Sequence, residues 1–271
     1  MMLIKIGNVT LNSRLIVGTG KYPSFQLMTD ALIASGSDMV TVAIRRIDLH
    51  AKGMENIFNY IPKKMHLLPN TAGCYNKEDA ILTARLAREA LKTDFIKLEV
   101  IGNQKTLYPD MEQTLDAAKI LVDEGFTVMP YINDDPIVCE KLIKIGCATI
   151  MPLASPIGSG LGICNEEKLK IIVNQFTGTV PIFVDAGVGT ASDASKAMEL
   201  GCDGVLMNTA IACSKNPVKM AAAMNYAIKA GRLAFESGRI AKKEYAVPSS
   251  PVEGVVHVYN DKKGDIICQH K

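Results

Sequence analysis

Residues 95–100 read FIKLEV, a lysine and a glutamate set among Phe95, Ile96, Leu98 and Val100. Six residues of this make-up read as a short strand, in which alternate positions share a face. Lys97 and Glu99 therefore point one way, and Ile96, Leu98 and Val100 the other. Seven more segments have the same strand character: RLIVGT near 14–19, MVTVAI at 39–44, MHLLPN at 65–70, FTVMPY at 126–131, ATIMPL at 148–153, PIFVDA at 181–186 and GVLMNT at 204–209.

Segments of helical periodicity separate these strands. In 77–92 one stripe holds Ala80, Ala84, Ala87 and Leu91, and another holds Arg85, Arg88, Glu89 and Lys92. Asn76 is placed to cap it, with Glu78 and Asp79 in the first turn. Thr190 is placed to cap a helix over 191–200, with Asp193 in its first turn and Gly201 as its stop. Asn216 and Pro217 start a long last helix to about 238, with Gly231 a weak interior point. The segment around 48–62 is the least convincing helix.

Eight strand–helix units in 271 residues predict a (β/α)8 TIM barrel, an α/β fold. An open doubly wound sheet is the alternative, but GTGKYPSF is not GxGxxG and no acidic ribose ligand follows it. The opening residues 2–12 read as an N-terminal β-hairpin closing the barrel's bottom. Residues 246–271 lose the β/α rhythm. The expected organisation is one barrel domain over 1–254, hairpin included, and a short C-terminal tail over 255–271.

Composition excludes several classes of function. A formal net charge of +2 gives no reason to expect nucleic acid, and no apolar run is long enough to span a bilayer. No signal-peptide pattern opens the chain, so a cytoplasmic location is expected. The seven cysteines show no paired spacing, and the four histidines form neither HExxH nor a Cys/His cluster. Free thiols, no metal site and no cofactor are expected.

In a barrel, Ile96, Leu98 and Val100 suit the helix side, which sends Lys97 and Glu99 into the lumen near the C-terminal mouth. Burial disfavours an ammonium, so the Lys97 pKa is expected to fall, giving an amine able to form an imine with a ketone or aldehyde. A structural ion pair filling the lumen is the competing explanation. Asp185 shares its face with Phe183 and also points inward. Asn208 and Thr209 end the eighth strand. Ala186, Gly187, Gly189 and the helix start at 190–193 are placed to hold a phosphate. Gly158, Ser159, Gly160 and Gly162 in ASPIGSGLG suggest backbone close to a ligand, or a mobile lid. Arg45 and Arg46 are either paired surface charges or steer an anionic substrate.

From about residue 3 to 254 the chain resembles the bacterial thiazole synthase of thiamine biosynthesis. The resemblance runs through SRLIVGTGKYPSF, VAIRR, LLPNTAG, IKLEVIG, LYPD, VMPYINDD, IMPLASPIGSG, FVDAGVG, DGVLMNTAI, NPVKMAAAM and SSPVEG. It implies that Lys97 forms an imine with 1-deoxy-D-xylulose 5-phosphate, with Glu99 and Asp185 as acid/base carboxylates. It places the sugar-phosphate contacts on Gly158, Ala186, Gly187, Asn208 and Thr209. The sulfur donor it implies is the C-terminal thiocarboxylate of a small ubiquitin-like sulfur carrier protein. The third substrate is 2-iminoacetate (dehydroglycine), supplied from glycine or tyrosine by a separate iminoacetate-producing enzyme. A homo-oligomer, commonly a tetramer, is also implied. A Schiff-base sugar-phosphate aldolase on the same barrel is the alternative activity. The tail beyond Gly254 lies outside the resemblance.

Overall fold

An antiparallel hairpin, β1 (Ile4–Ile6) and β2 (Val9–Leu11), precedes a ring of parallel strands. The chain then runs through β3 (Leu15–Gly18), α1 (Phe25–Ser35), β4 (Met39–Ala43), β5 (His66–Asn70), α2 (Lys77–Leu91), β6 (Phe95–Leu98) and α3 (Met111–Asp123). It continues through β7 (Thr127–Ile132), α4 (Pro136–Ile145), β8 (Met151–Pro152), α5 (Glu166–Phe176), β9 (Phe183–Asp185) and α6 (Ala191–Glu199). The last barrel strand is β10 (Gly204–Met207), followed by α7 (Thr209–Ala212) and α8 (Pro217–Ser237). The computed structural model describes residues 3–46, 53, 56–250, 257–260 and 266–269, the last two stretches by backbone alone.

The eight strands pair in the order β8-β7-β6-β5-β4-β3-β10-β9. Parallel bridges Ile150–Ile182 and Leu153–Asp185 join β8 to β9, closing the expected (β/α)8 barrel. Between β4 and β5, where the weakest helix was expected, the described residues hold single 3-10 turns at Ile44–Arg46 and Ile57–Asn59. Residues 47–52 and 54–55 lie outside them.

Local chemistry explains the helix ends. Asn76 Oδ1 accepts from Asp79 N–H at 2.8 Å, capping α2 as expected. Asn216 Oδ1 accepts from Lys219 N–H at 3.0 Å, ahead of Pro217. Gly231, weak by propensity, sits where α8 crosses α6: a Cβ there would lie 2.3 Å from the Ser195 carbonyl oxygen. Helix propensity is given up for close packing.

Ile96, Leu98 and Val100 join the cluster between strands and helices. The inner face is layered. Each strand contributes one side chain to an apolar plug: Ile16, Met39, Leu68, Phe95, Met129, Met151, Phe183 and Leu206. Ile4, Ile6 and Leu11 of the hairpin belong to the same cluster and close the barrel from below.

The chain divides into two compact units, Met1–Ser237 and Gly238–Lys271. The second contains β11 (His257–Asn260) paired antiparallel with β12 (Ile266–Gln269), a hairpin that its sequence did not suggest. Other parts of the expected tail over 255–271 lie outside the described residues. Among the described residues, no helix is long and apolar enough to cross a membrane.

Candidate active site

Two residues beyond the apolar plug, the same strand faces present a second layer: Gly18, Thr41, Asn70, Lys97, Tyr131, Leu153, Asp185 and Asn208. Six of these eight line a cavity of about 1280 Å³ at the C-terminal mouth; Tyr131 and Leu153 stand beside it. The cavity walls include Lys97, Glu99 and Asp185, and the five residues on which the resemblance places the sugar-phosphate contacts: Gly158, Ala186, Gly187, Asn208 and Thr209.

At its floor Lys97 Nζ lies 2.8 Å from Glu99 Oε1 and 2.8 Å from Asp185 Oδ2. All three residues are at most 5% exposed, too little for bulk water to screen the charges. The contact with Glu99 is a hydrogen bond. That with Asp185 is an ion pair of the same length. Burial, the largest single influence on Lys97, pushes its pKa down. Asp185 and Glu99 together outweigh it and hold the amine above its ordinary value. The expected fall is therefore corrected: the strand alone shows the burial but not the second carboxylate, which arrives from β9. Burial raises the Asp185 pKa to about 6, with Glu99 adding to the rise and Lys97 opposing it. The trio rests as one cation between two carboxyl groups, of which Asp185 holds a proton far more readily than a free aspartate.

Three neighbours that sequence alone did not single out stand around this trio. Thr71 Oγ1 accepts from the Glu99 N–H and donates to the Glu99 carbonyl oxygen, each at 2.7 Å. Asn70 is the register partner of Lys97 and donates through Nδ2 to Thr41 Oγ1 at 2.9 Å. The Tyr131 ring centroid stands 5.6 Å from Lys97 Nζ. Two-residue alternation along each strand is the signal that would have found Asn70 and Tyr131. Thr71 breaks that alternation and shows itself only through the contact.

The glycine-bearing loops meet each other as much as the cavity. A Cβ on Gly187, whose φ is +83°, would come within 2.1 Å of Ser155 Oγ, and one on Gly189 within 2.5 Å of the Gly160 carbonyl oxygen. Gly162 N–H donates to the Gly187 carbonyl oxygen at 2.9 Å. Ala186 also adopts a left-handed φ of 71°, uncommon without glycine, directly after Asp185. At the start of α6, where an anion site was expected, two backbone donors are already engaged. Asp193 Oδ2 already accepts from Gly189 N–H at 2.9 Å and Thr190 N–H at 3.1 Å. Gly158, Ala186, Gly187, Asn208 and Thr209 keep their places on the wall. Asn208 Oδ1 is buried without a hydrogen-bond partner.

The arginine pair divides. Arg45 donates to the Gly73 carbonyl oxygen at 2.8 Å and lies 3.8 Å from Asp79, whereas Arg46 lines the cavity. Cys74, Cys139, Cys147 and Cys202 are free and buried; Cys164 and Cys213 are free and exposed. Among the described residues, no group of three His, Cys, Asp or Glu side chains is arranged to hold a metal ion.

Comparison with known proteins identifies the family. The family model described as "Thiazole biosynthesis protein ThiG" matches residues 5–251. A thiazole synthase of Geotalea uraniireducens (strain Rf4) is 61% identical over 246 residues, covering 90% of this chain and 94% of its own. One from Sorangium cellulosum (strain So ce56) is 58% identical over 254 residues, covering 93% and 97%. Among solved structures, the Amycolatopsis orientalis BexX/CysO complex aligns with a TM-score of 0.81 at 32% identity, covering 89% of this chain and 98% of the other. The native KDPGal structure, with a TM-score of 0.57 at 14% identity over 82% of this chain and 98% of its own, shares the fold alone. With the match spanning the barrel from its first hairpin to beyond α8, the chain belongs to the thiazole synthase family, ThiG.

Proposed function

We propose that this enzyme forms the thiazole phosphate ring of thiamine from 1-deoxy-D-xylulose 5-phosphate, 2-iminoacetate and a carrier-protein thiocarboxylate, through an imine on Lys97. The observation that carries this proposal is the buried amine placed 2.8 Å from two carboxylates at the floor of an open cavity.

The resting ammonium is not a nucleophile, so reaction begins with a proton transfer. Asp185, with a pKa raised to about 6, is the neighbouring carboxylate that burial makes most ready to take it. The freed amine adds to the C2 ketone, and loss of water gives the imine. The imine acidifies the C3–H bond. A carboxylate removes that proton and the double bond shifts, carrying the carbonyl character to C3. Glu99 is held for such work by its two backbone hydrogen bonds to Thr71. Thiocarboxylate sulfur then adds at C3, the acyl group passes from sulfur to the C3 oxygen and departs with it as the carrier's carboxylate, and the C4 hydroxyl leaves as water. The iminoacetate nitrogen displaces Lys97 at C2 and its carbon bonds to the sulfur, which closes the ring and frees the amine. Each step moves a proton beside an imine or carbonyl, which two carboxylates can mediate. Gly158, Ala186, Gly187, Asn208 and Thr209 hold the phosphate as a handle that keeps the reacting carbons over Lys97.

The partner supplying sulfur is a small ubiquitin-like carrier whose extended C-terminus enters the mouth. The resemblance to BexX, solved with a second protein, CysO, supports a protein partner on this barrel. A homotetramer in the cytoplasm, served by a separate iminoacetate-producing enzyme, completes the proposal. We assign the chemistry to the barrel with its hairpin, within residues 1–254, and none to the tail.

Borohydride reduction in the presence of the sugar phosphate should leave a covalent adduct on Lys97, located by peptide mass mapping. An adduct on another lysine, or none, would overturn the mechanism. Turnover that ignores the thiocarboxylated carrier and cleaves a carbon–carbon bond would indicate an aldolase instead.

A further inference from the structure

Apolar side chains stand on one side of the Lys97 amine. Ile101, Tyr131 and Leu153 are buried against one another, and Leu107, Ile157 and Ala186 pack on them. Ile101, Leu107, Ile157 and Ala186 line the cavity that holds Lys97. The one hydroxyl in this collar is committed, because Tyr131 Oη donates to the Leu107 carbonyl oxygen at 3.3 Å. Leu107 has a left-handed φ of 56°. Its loop is held by Gly102 N–H on the Tyr108 carbonyl oxygen at 2.9 Å and by Asp110 N–H on that of Val100 at 2.8 Å.

Ile101, Leu107, Tyr131, Leu153 and Ile157 of the collar lie on or after β6, β7 and β8, and Ala186 joins them to the glycine and Asn208–Thr209 wall, which follows β8, β9 and β10. A ketose phosphate with its phosphate on Asn208–Thr209 and its carbonyl at Lys97 can direct its other terminal carbon toward the collar. We infer that the collar selects the substituent on that carbon, accepting a methyl group and rejecting a hydroxymethyl group. The inference rests on the sugar-phosphate function proposed above. A hydroxyl placed there would lose its water and find no free donor among the collar's side chains, and apolar pockets reject an added hydroxyl by about 10²-fold.

The test compares 1-deoxy-D-xylulose 5-phosphate with D-xylulose 5-phosphate. At subsaturating concentrations, mass spectrometry follows the rate at which each is trapped on Lys97 by borohydride. The wild-type enzyme should favour the deoxy sugar by about 100-fold. Leu107→Asn keeps a residue at home in the left-handed region and adds an amide to the collar. It should narrow the ratio to about tenfold, chiefly through faster trapping of the hydroxylated sugar. Tyr131→Phe frees the Leu107 carbonyl oxygen as an acceptor and should move the ratio the same way. Equal trapping of both sugars by wild type, or a ratio unchanged in both variants, would overturn the collar and leave the imine standing. No adduct with either sugar would overturn the imine, and the collar with it.

Discussion

The lower and upper layers of the lumen stand on the same eight strand faces and serve opposite ends. Below, Phe95 and Phe183 belong to a plug closed by Ile4, Ile6 and Leu11 of the hairpin. Two positions further on, about 7 Å along each strand, those faces carry Lys97 and Asp185 at the floor of an open cavity. The plug uses close packing to hold the strands in register. The upper layer uses that rigidity to hold three buried charges together, with the proton affinities of Lys97 and Asp185 shifted by burial and by their neighbours. Such a trio is weak evidence for stability, since burying charges costs several kcal/mol per ion before pairing offsets it.

The contrast can be broken most directly at Lys97. Lys97→Ala should lower turnover on the order of 10⁴-fold or more, because it removes the nucleophile proposed above. A steady-state rate within tenfold of wild type would show the upper layer to be structural. Phe183→Ala, two residues below Asp185, should instead cost about 3–5 kcal/mol of stability by opening a cavity in the plug. Its rate per folded molecule should stay within about threefold of wild type, since no reacting group is touched. Denaturant melts paired with activity at low temperature would check this, and an unchanged melt would deny the plug its role.

Smaller effects sharpen the same division. Asp185→Asn and Glu99→Ala should each lower kcat by at least about 100-fold, the scale of a positioned acid or base. In the wild type, kcat should fall as pH drops through about 6, because protonated Asp185 can no longer take the Lys97 proton. The profile is read in kcat, since a free phosphate monoester also titrates near about 6. Asp185→Asn should abolish that acid limb; its persistence would assign the titration elsewhere. Outside the lumen altogether, Asn76→Ala should cost about 1 kcal/mol through the lost cap and leave kcat unchanged.

Much of this arrangement was legible in the sequence because it depends on short periods. Alternation in FIKLEV put Lys97 and Glu99 inside, Phe183 did the same for Asp185, and Asn76 announced its helix. What stayed hidden depends on residues far apart in the chain. The Lys97 pKa reverses direction only when Asp185, on β9, is brought to 2.8 Å. Before α6, only the structure shows Asp193 folding back onto the Gly189 and Thr190 N–H groups. Gly231 reads as a weak point until α6 is seen crossing it. The Thr71 clamp on Glu99 has no periodic signature at all.

The interlocked glycine loops carry a practical consequence for redesign. Because Gly187 abuts Ser155 and Gly189 abuts the Gly160 carbonyl, neither segment can be exchanged for a bulkier counterpart by itself. Altering what this mouth accepts by loop grafting requires transplanting 155–162 and 186–190 as a matched pair.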